Sequence, residues 1–185
     1  MKDASIALLL ILLIAGALIL QEFFQPMAAY GGAQILFVPM LIVYACLRLP
    51  FPWMLLIAFL GGWSSDLMSV HLIDGKAELA VGTSIFFFLI IGCICQGLRV
   101  LFLRGYWWLF SLMSGLSTSL LLALQFFLIS FRRFESGGLD WNYAVTLRIL
   151  IPGLIALLIA PLFQSCGFFL ERLIFREKES RRSYQ

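Results

Sequence analysis

Polar positions along this chain are few and bunched, and the apolar runs between them are long. Stretches free of Asp, Glu, Lys and Arg cover 4–21, 23–47, 49–65, 79–98, 105–131 and 149–170. A bilayer core of about 30 Å is crossed by about 20 mostly apolar helical residues, and each run is close to that length. The pattern predicts six transmembrane helices over 4–21, 28–47, 51–69, 79–98, 105–131 and 145–170. They form one domain over 1–172, with a basic tail at 173–185. Pro50 and Pro52 suit a first helical turn, where a missing donor costs nothing. Pro39 interrupts the second run and is expected to kink it. Pro152, Gly153 and Pro161 are expected to make the last helix bendable.

Composition turns this pattern into a class. Of 185 residues, 62% are hydrophobic and 12% charged, against roughly 25% charged in a soluble domain. The mean hydropathy is +1.01. A soluble globule with this make-up would expose apolar patches far above the few hundred Å² that monomers tolerate. The expected class is therefore an all-α, multi-pass membrane protein. A soluble enzyme, a disordered regulator and a nucleic-acid binder are excluded. The net charge of +3 is too small to point to a polyanion.

Charge distribution says more than its sum. With the N-terminus inside, Lys2, Arg48, Arg99, Arg104, Arg172, Arg176, Lys178, Arg181 and Arg182 fall on the inner side. Lys76, Arg132, Arg133 and Arg148 fall on the outer side. Lys and Arg favour the cytoplasmic face, so both termini are expected in the cytoplasm. Lys2, the first apolar run and Ala15-Gly16-Ala17 share features with a signal peptide. The run continues through Leu18, Ile19 and Leu20, which favours an uncleaved helix. Trp53, Tyr106, Trp107, Trp108, Trp141 and Tyr143 stand near segment ends, where amphipathic rings prefer the headgroup zone.

The polar residues inside or beside the apolar runs are the candidate functional positions. Asp66 follows Gly61 and Gly62 near the outer end of the third segment. A carboxylate in hydrocarbon costs about 2.5–3.5 kcal/mol on insertion scales, so Asp66 should face the bundle interior or the outer water layer. Two readings stay open, a contact that organises the outer face and a helix end solvated at the interface. Gln21 closes the first segment and either bonds across to another helix or is hydrated. The outer loop carries His71, Asp74, Lys76 and Glu78, a weak metal signal and more simply a solvated loop. Ser111, Gly115 and Ser119 form one stripe of the fifth helix. Such stripes allow close helix approach, within the chain by default or against a partner. Arg148 is expected to snorkel outward. Cys46, Cys93, Cys95 and Cys166 lie in apolar runs without redox or zinc spacing and read as packing residues. No nucleophile elbow, P-loop or HExxH sequence occurs, so catalysis is the least expected class and no cofactor or metal is expected.

From Leu20 to Gly92, Leu20-Gln21 closes a helix, Pro39, Tyr44 and Arg48 stand in "LFVPMLIVYACLRLP", Asp66 in "LLIAFLGGWSSDLMS", and Gly82 in "LAVGTSIFFFLIIG". On these residues the run resembles the MreD family, the integral-membrane rod shape-determining proteins of bacteria. Val81 stands where that family prefers Leu, and the spacer from Asp66 to Gly82 is longer and more charged than usual. The likeness is specific over this run and only topological beyond it. It implies a six-helix bundle similar to the substrate-binding components of energy-coupling vitamin transporters. It also implies a non-catalytic subunit of the cell-elongation complex in the bacterial cytoplasmic (inner) membrane. Such a subunit binds the bitopic protein MreC. Through it, the subunit is linked to the actin-like MreB filament, a penicillin-binding protein transpeptidase and the RodA glycosyltransferase. Gln21, Pro39, Gly62, Asp66 and Gly82 are the matching positions, and they imply roles in shaping the bundle and its outer face. The alternative from a different class is a vitamin-type substrate-binding subunit of an energy-coupling transporter.

Overall fold

The computed structural model describes residues 2–24, 33–68, 72–73, 76–77, 82–103, 108–132 and 142–182, with the side chains of the last helix described as far as Gly167. Six helices carry the fold: α1 (Lys2–Phe23), α2 (Val38–Arg48), α3 (Phe51–Met68), α4 (Thr83–Leu103), α5 (Trp108–Arg132) and α6 (Tyr143–Arg182). A minimal hairpin, β1 (Leu72–Ile73) paired antiparallel with β2 (Lys76–Ala77), lies between α3 and α4.

Five of these helices, all but α2, are long and apolar enough to cross a membrane. Each buries only 28–33% of its spanning window and turns the rest outward. The outward faces are continuous rows of bulky residues one turn apart. Phe86, Ile90 and Ile94 make such a row on α4, Leu112, Leu116 and Leu120 on α5, and Leu154, Leu158 and Leu162 on α6. In water these rows would drive aggregation; in lipid they are the solvent-facing surface.

α2 departs from expectation and organises the rest. In the second segment, expected as a helix over 28–47, α2 begins at Val38. Residues 34–37 have no regular structure. Pro39 therefore does not kink a longer helix. It stands in the first turn, where its fixed φ suits the helix start and its missing N–H costs nothing. The resulting helix is 11 residues, about 16 Å at 1.5 Å per residue, or half a bilayer. Its burial compensates for its length. Val38 through Cys46 are all buried, so no face of α2 is left to lipid along most of its course. α2 packs against α1, α3, α4, α5 and α6.

Small residues let the outer helices close around this centre. On α3, a Cβ built on Gly62 would lie 2.6 Å from Ile85 Cα and 2.8 Å from Ile85 N of α4. Only glycine permits that backbone approach. On α5, a Cβ on Gly115 would lie 2.8 Å from the Gly153 carbonyl of α6, and a Cβ on Gly153 would collide with Ser119 Oγ. Gly115 and Ser119 thus lie on the α5–α6 seam, with Ser111 buried one turn before Gly115 on the same stripe, about 100° around the helix from the exposed Leu112, Leu116 and Leu120 row. α6 is 40 residues long and stays helical through Pro152 and Pro161 to Arg182, so the basic tail from 173 extends the last helix, as its mixed charges suggest. Cys46 of α2 and Cys95 of α4 are buried neighbours with free thiols, whereas Cys93 and Cys166 are exposed.

Gly61 and Gly62 separate a tolerant position from an intolerant one. A Cβ on Gly61 meets only the end of the Ile42 side chain, at 3.0 Å, which can swing aside. Gly61→Ala should change stability by less than about 0.5 kcal/mol, whereas Gly62→Ala should cost about 1–3 kcal/mol, the range for overpacking a close seam. Thermal unfolding of the two variants in detergent checks the difference.

Candidate functional site

The site is built from side chains that reach out of one helix to the open end of the next. A helix start leaves N–H groups without intrahelical partners, and a helix end leaves carbonyls likewise. In hydrocarbon each such group costs several kcal/mol unless the protein satisfies it.

At the start of α2, Gln21 from the last turn of α1 supplies the acceptor. Its Oε1 accepts the Phe37 N–H at 2.9 Å and the Val38 N–H at 3.4 Å. Phe37, the residue before the helix, contributes no side-chain cap of its own. The cap comes instead from 16 residues upstream. The connection that it holds is buried at Ala33 and Phe37.

At the start of α4 the same device recurs with a carboxylate. Asp66, near the end of α3, is only 8% exposed. One oxygen, Oδ2, accepts the Gly82 N–H at 2.6 Å and the Ser84 N–H at 3.3 Å, while Oδ1 accepts the Ser84 N–H at 3.1 Å. Negative charge at a helix N-terminus is favoured by the aligned peptide dipoles as well as by the hydrogen bonds. Gly82 has φ +110°, a conformation that costs glycine little and other residues much. That backbone turn points its N–H at Asp66 and delays α4 until Thr83, four residues later than the expected start at 79. The close approach at Gly62 brings α3 near enough for the carboxylate to reach.

The end of α2 is closed from α4. The Leu49 carbonyl accepts Gln96 Nε2 at 2.9 Å and Arg99 Nη1 at 3.4 Å. Leu49 is fully buried, so this carbonyl has no access to water. Arg99, expected as an inner-face basic residue, is half-buried and turned partly inward. Gln96 was not among the candidates. Its signal is a lone amide in an apolar run, three residues before Arg99 and so on the same helix face.

The remaining candidates fall elsewhere. Arg148 lies in the second turn of α6 and is exposed. Arg48 ends α2 and is half-buried. Pro152 is buried beside the α5–α6 seam. His71, Asp74 and Arg104 lie outside the described residues, and the side chains of Arg172 and Arg176 do likewise. Among the described residues, no three His, Cys, Asp or Glu side chains gather as metal ligands would.

Beside the Gln21 cap lies a cleft of about 130 Å³. The ends of α1 and α3 meet there with the start of α2 and the second half of α5. Leu18, Gln21 and Glu22 come from α1, Ser65 and Met68 from α3, and Leu121, Leu122 and Gln125 from α5. Gln34, Leu36, Val38 and Pro39 complete the wall.

Gln21 and Asp66, expected as partner or outer-face contacts, have their acceptor oxygens committed inside the bundle. Asp66→Ala should therefore act on the fold. It strands the Gly82 and Ser84 N–H groups and should cost about 2–4 kcal/mol, counting about 1–2 per stranded donor. Asp66→Asn keeps one acceptor and should cost about half as much. Equilibrium unfolding of both variants in detergent checks the order.

Comparison of the chain with protein-family models, with curated proteins and with solved structures returns no match.

Proposed function

We propose that the chain is a non-catalytic, multi-pass membrane scaffold of the MreD type. In this reading it sits in the bacterial cytoplasmic membrane with both termini inside and binds an MreC-like bitopic protein. It thereby supports lateral wall synthesis. One observation carries the reading. The positions on which the likeness to that family rests are the positions on which the helix ends depend. Gln21 caps α2, Pro39 opens it, Gly62 admits α4, Asp66 caps α4 and Gly82 makes the turn that the cap requires. A set of residues shared with a scaffold family and devoted to shaping a bundle fits a protein whose product is a surface. The polar groups at these points bond backbone, and none of them is left poised beside another as an acid, base or nucleophile would be.

The alternative, a vitamin-binding transporter subunit, needs a chamber for its substrate. Pockets for such molecules run to about 300–1,000 Å³. The Gln21 cleft, at about 130 Å³, falls short of that, and Asp66 and Arg148 are not on its wall.

The partner surface in this reading is the lipid-facing rows of bulky residues, where van der Waals packing does the binding. Tagged protein extracted from its native membrane in mild detergent should bring down a bitopic coiled-coil protein together with wall synthases, identified by mass spectrometry. Recovery of a large transmembrane coupling protein with ATPases would replace the scaffold reading with the transporter one.

A further inference from the structure

The Gln21 cleft has a lining with a direction. Leu18 and Leu121 lie one helical turn before Glu22 and Gln125 on their respective helices, so side chains at these spacings are neighbours on one face. α1 and α3 both end at the cleft, so they finish at the same end of the bundle, while α5 runs on for seven residues past Gln125. On α1 and α5 the wall turns from leucine to a polar side chain toward that end; α3 adds Ser65 and Met68. α1 is about 33 Å long, close to the bilayer thickness, so Gln21 and Glu22 at its end stand at headgroup level.

The charge at the cleft is equally directional. Among the described residues, Glu22 is the one ionisable group on its wall, and it is exposed. A helix N-terminus also borders it, and such a terminus would ordinarily attract an anion. Here that tendency is already spent. The Phe37 and Val38 N–H groups are taken by Gln21 Oε1, and Pro39 has no N–H to offer. Among the described residues, the side-chain donors on the wall are the amides of Gln21, Gln34 and Gln125 and the Ser65 hydroxyl. Amides can hydrogen-bond a phosphate without demanding a net negative ligand, while the Glu22 carboxylate demands a cation.

We propose that this cleft binds the headgroup of an amine-bearing zwitterionic phospholipid. Its ammonium meets Glu22, its phosphate takes amide protons, and the start of an acyl chain lies along Leu18, Leu121 and Leu122. The size is suitable. A cavity of about 150 Å³ admits benzene, so a cleft of about 130 Å³ holds an ethanolamine arm and leaves the phosphate at its mouth. A primary ammonium donates hydrogen bonds to a carboxylate; the trimethylated ammonium of a choline headgroup has no donor, and a glycerol headgroup has no charge for Glu22 to meet.

The test uses the full chain, purified in detergent and exposed in turn to dioleoyl-phosphatidylethanolamine, dioleoyl-phosphatidylcholine and dioleoyl-phosphatidylglycerol at equal mole fraction. Native mass spectrometry reads the retained lipid and a thermal melt reads folding. The ethanolamine lipid should be retained as a single adduct about fivefold more than either of the others, as one partly exposed ion contact allows. Glu22→Gln should erase that preference while melting unchanged without lipid. Gln125→Leu should lower retention of both the ethanolamine and the choline lipid. Equal retention of all three lipids by the unaltered protein, or an ethanolamine preference that survives Glu22→Gln, would overturn the proposal. So would displacement of the lipid by soluble glycerophosphoethanolamine at equal concentration, which would make the cleft a small-molecule site.

Discussion

A peptide N–H or C=O without a partner is tolerable in water and costly in a bilayer, where only a continuous helix satisfies its own backbone. A half-length helix breaks that continuity. α2 covers about half the bilayer and is surrounded by protein, so both of its ends need partners from elsewhere. Gln21 of α1 supplies them at the start, and Gln96 and Arg99 of α4 supply one at the end. α4 then receives its own cap from Asp66 of α3. Each cap ties two helices together at a defined height. The caps form a chain of dependencies from α1 to α2 to α4 to α3. α5 and α6 join through a different device, the glycine seam at Gly115 and Gly153.

Such an arrangement gives the bundle specificity that apolar packing alone does not. Between helices in lipid there is little hydrophobic drive, since lipid tails are as apolar as leucine. Sliding α4 by one residue past α3 would lose the Asp66 bonds and drive Ile85 against a side that only Gly62 can accommodate. The register is therefore held by one carboxylate and one glycine acting together. The outward rows of α4, α5 and α6 are apolar, a surface on which other helices in lipid pack by van der Waals contact.

Much of this was legible in the residues. Apolar runs located α1, α3, α4, α5 and α6, because a span in lipid has to be apolar and about 20 residues long. The glycine and serine spacing located the fifth-helix stripe. Asp66 and Gln21 stood out because polar groups near hydrocarbon are expensive. What these residues touch was not legible. Hydropathy reports that a residue is buried from water and not whether lipid or protein covers it, so the segment at 28–47 read as a full span, whereas residues 34–37 have no regular structure and the helix that follows them, Val38–Arg48, is half a bilayer long. Gln21 read as bonded across to another helix or hydrated, and Asp66 as facing the interior or the outer water, because nothing local marks a side chain that caps a helix 16 or 18 residues further on. The role of Gln96 was illegible for the same reason, since its partner is the Leu49 carbonyl, 47 residues away.

Residue-resolved hydrogen exchange of the protein in lipid nanodiscs reads the trans-helix caps directly, at the Phe37, Val38, Gly82 and Ser84 amides. If the caps hold the bundle, these four amides exchange as slowly as those in the middle of α2, although none has an intrahelical partner in its own first turn. Exchange at the rate of an open loop at all four would mean that the helix ends are satisfied by water, and would contradict the dependence of the fold on Gln21 and Asp66.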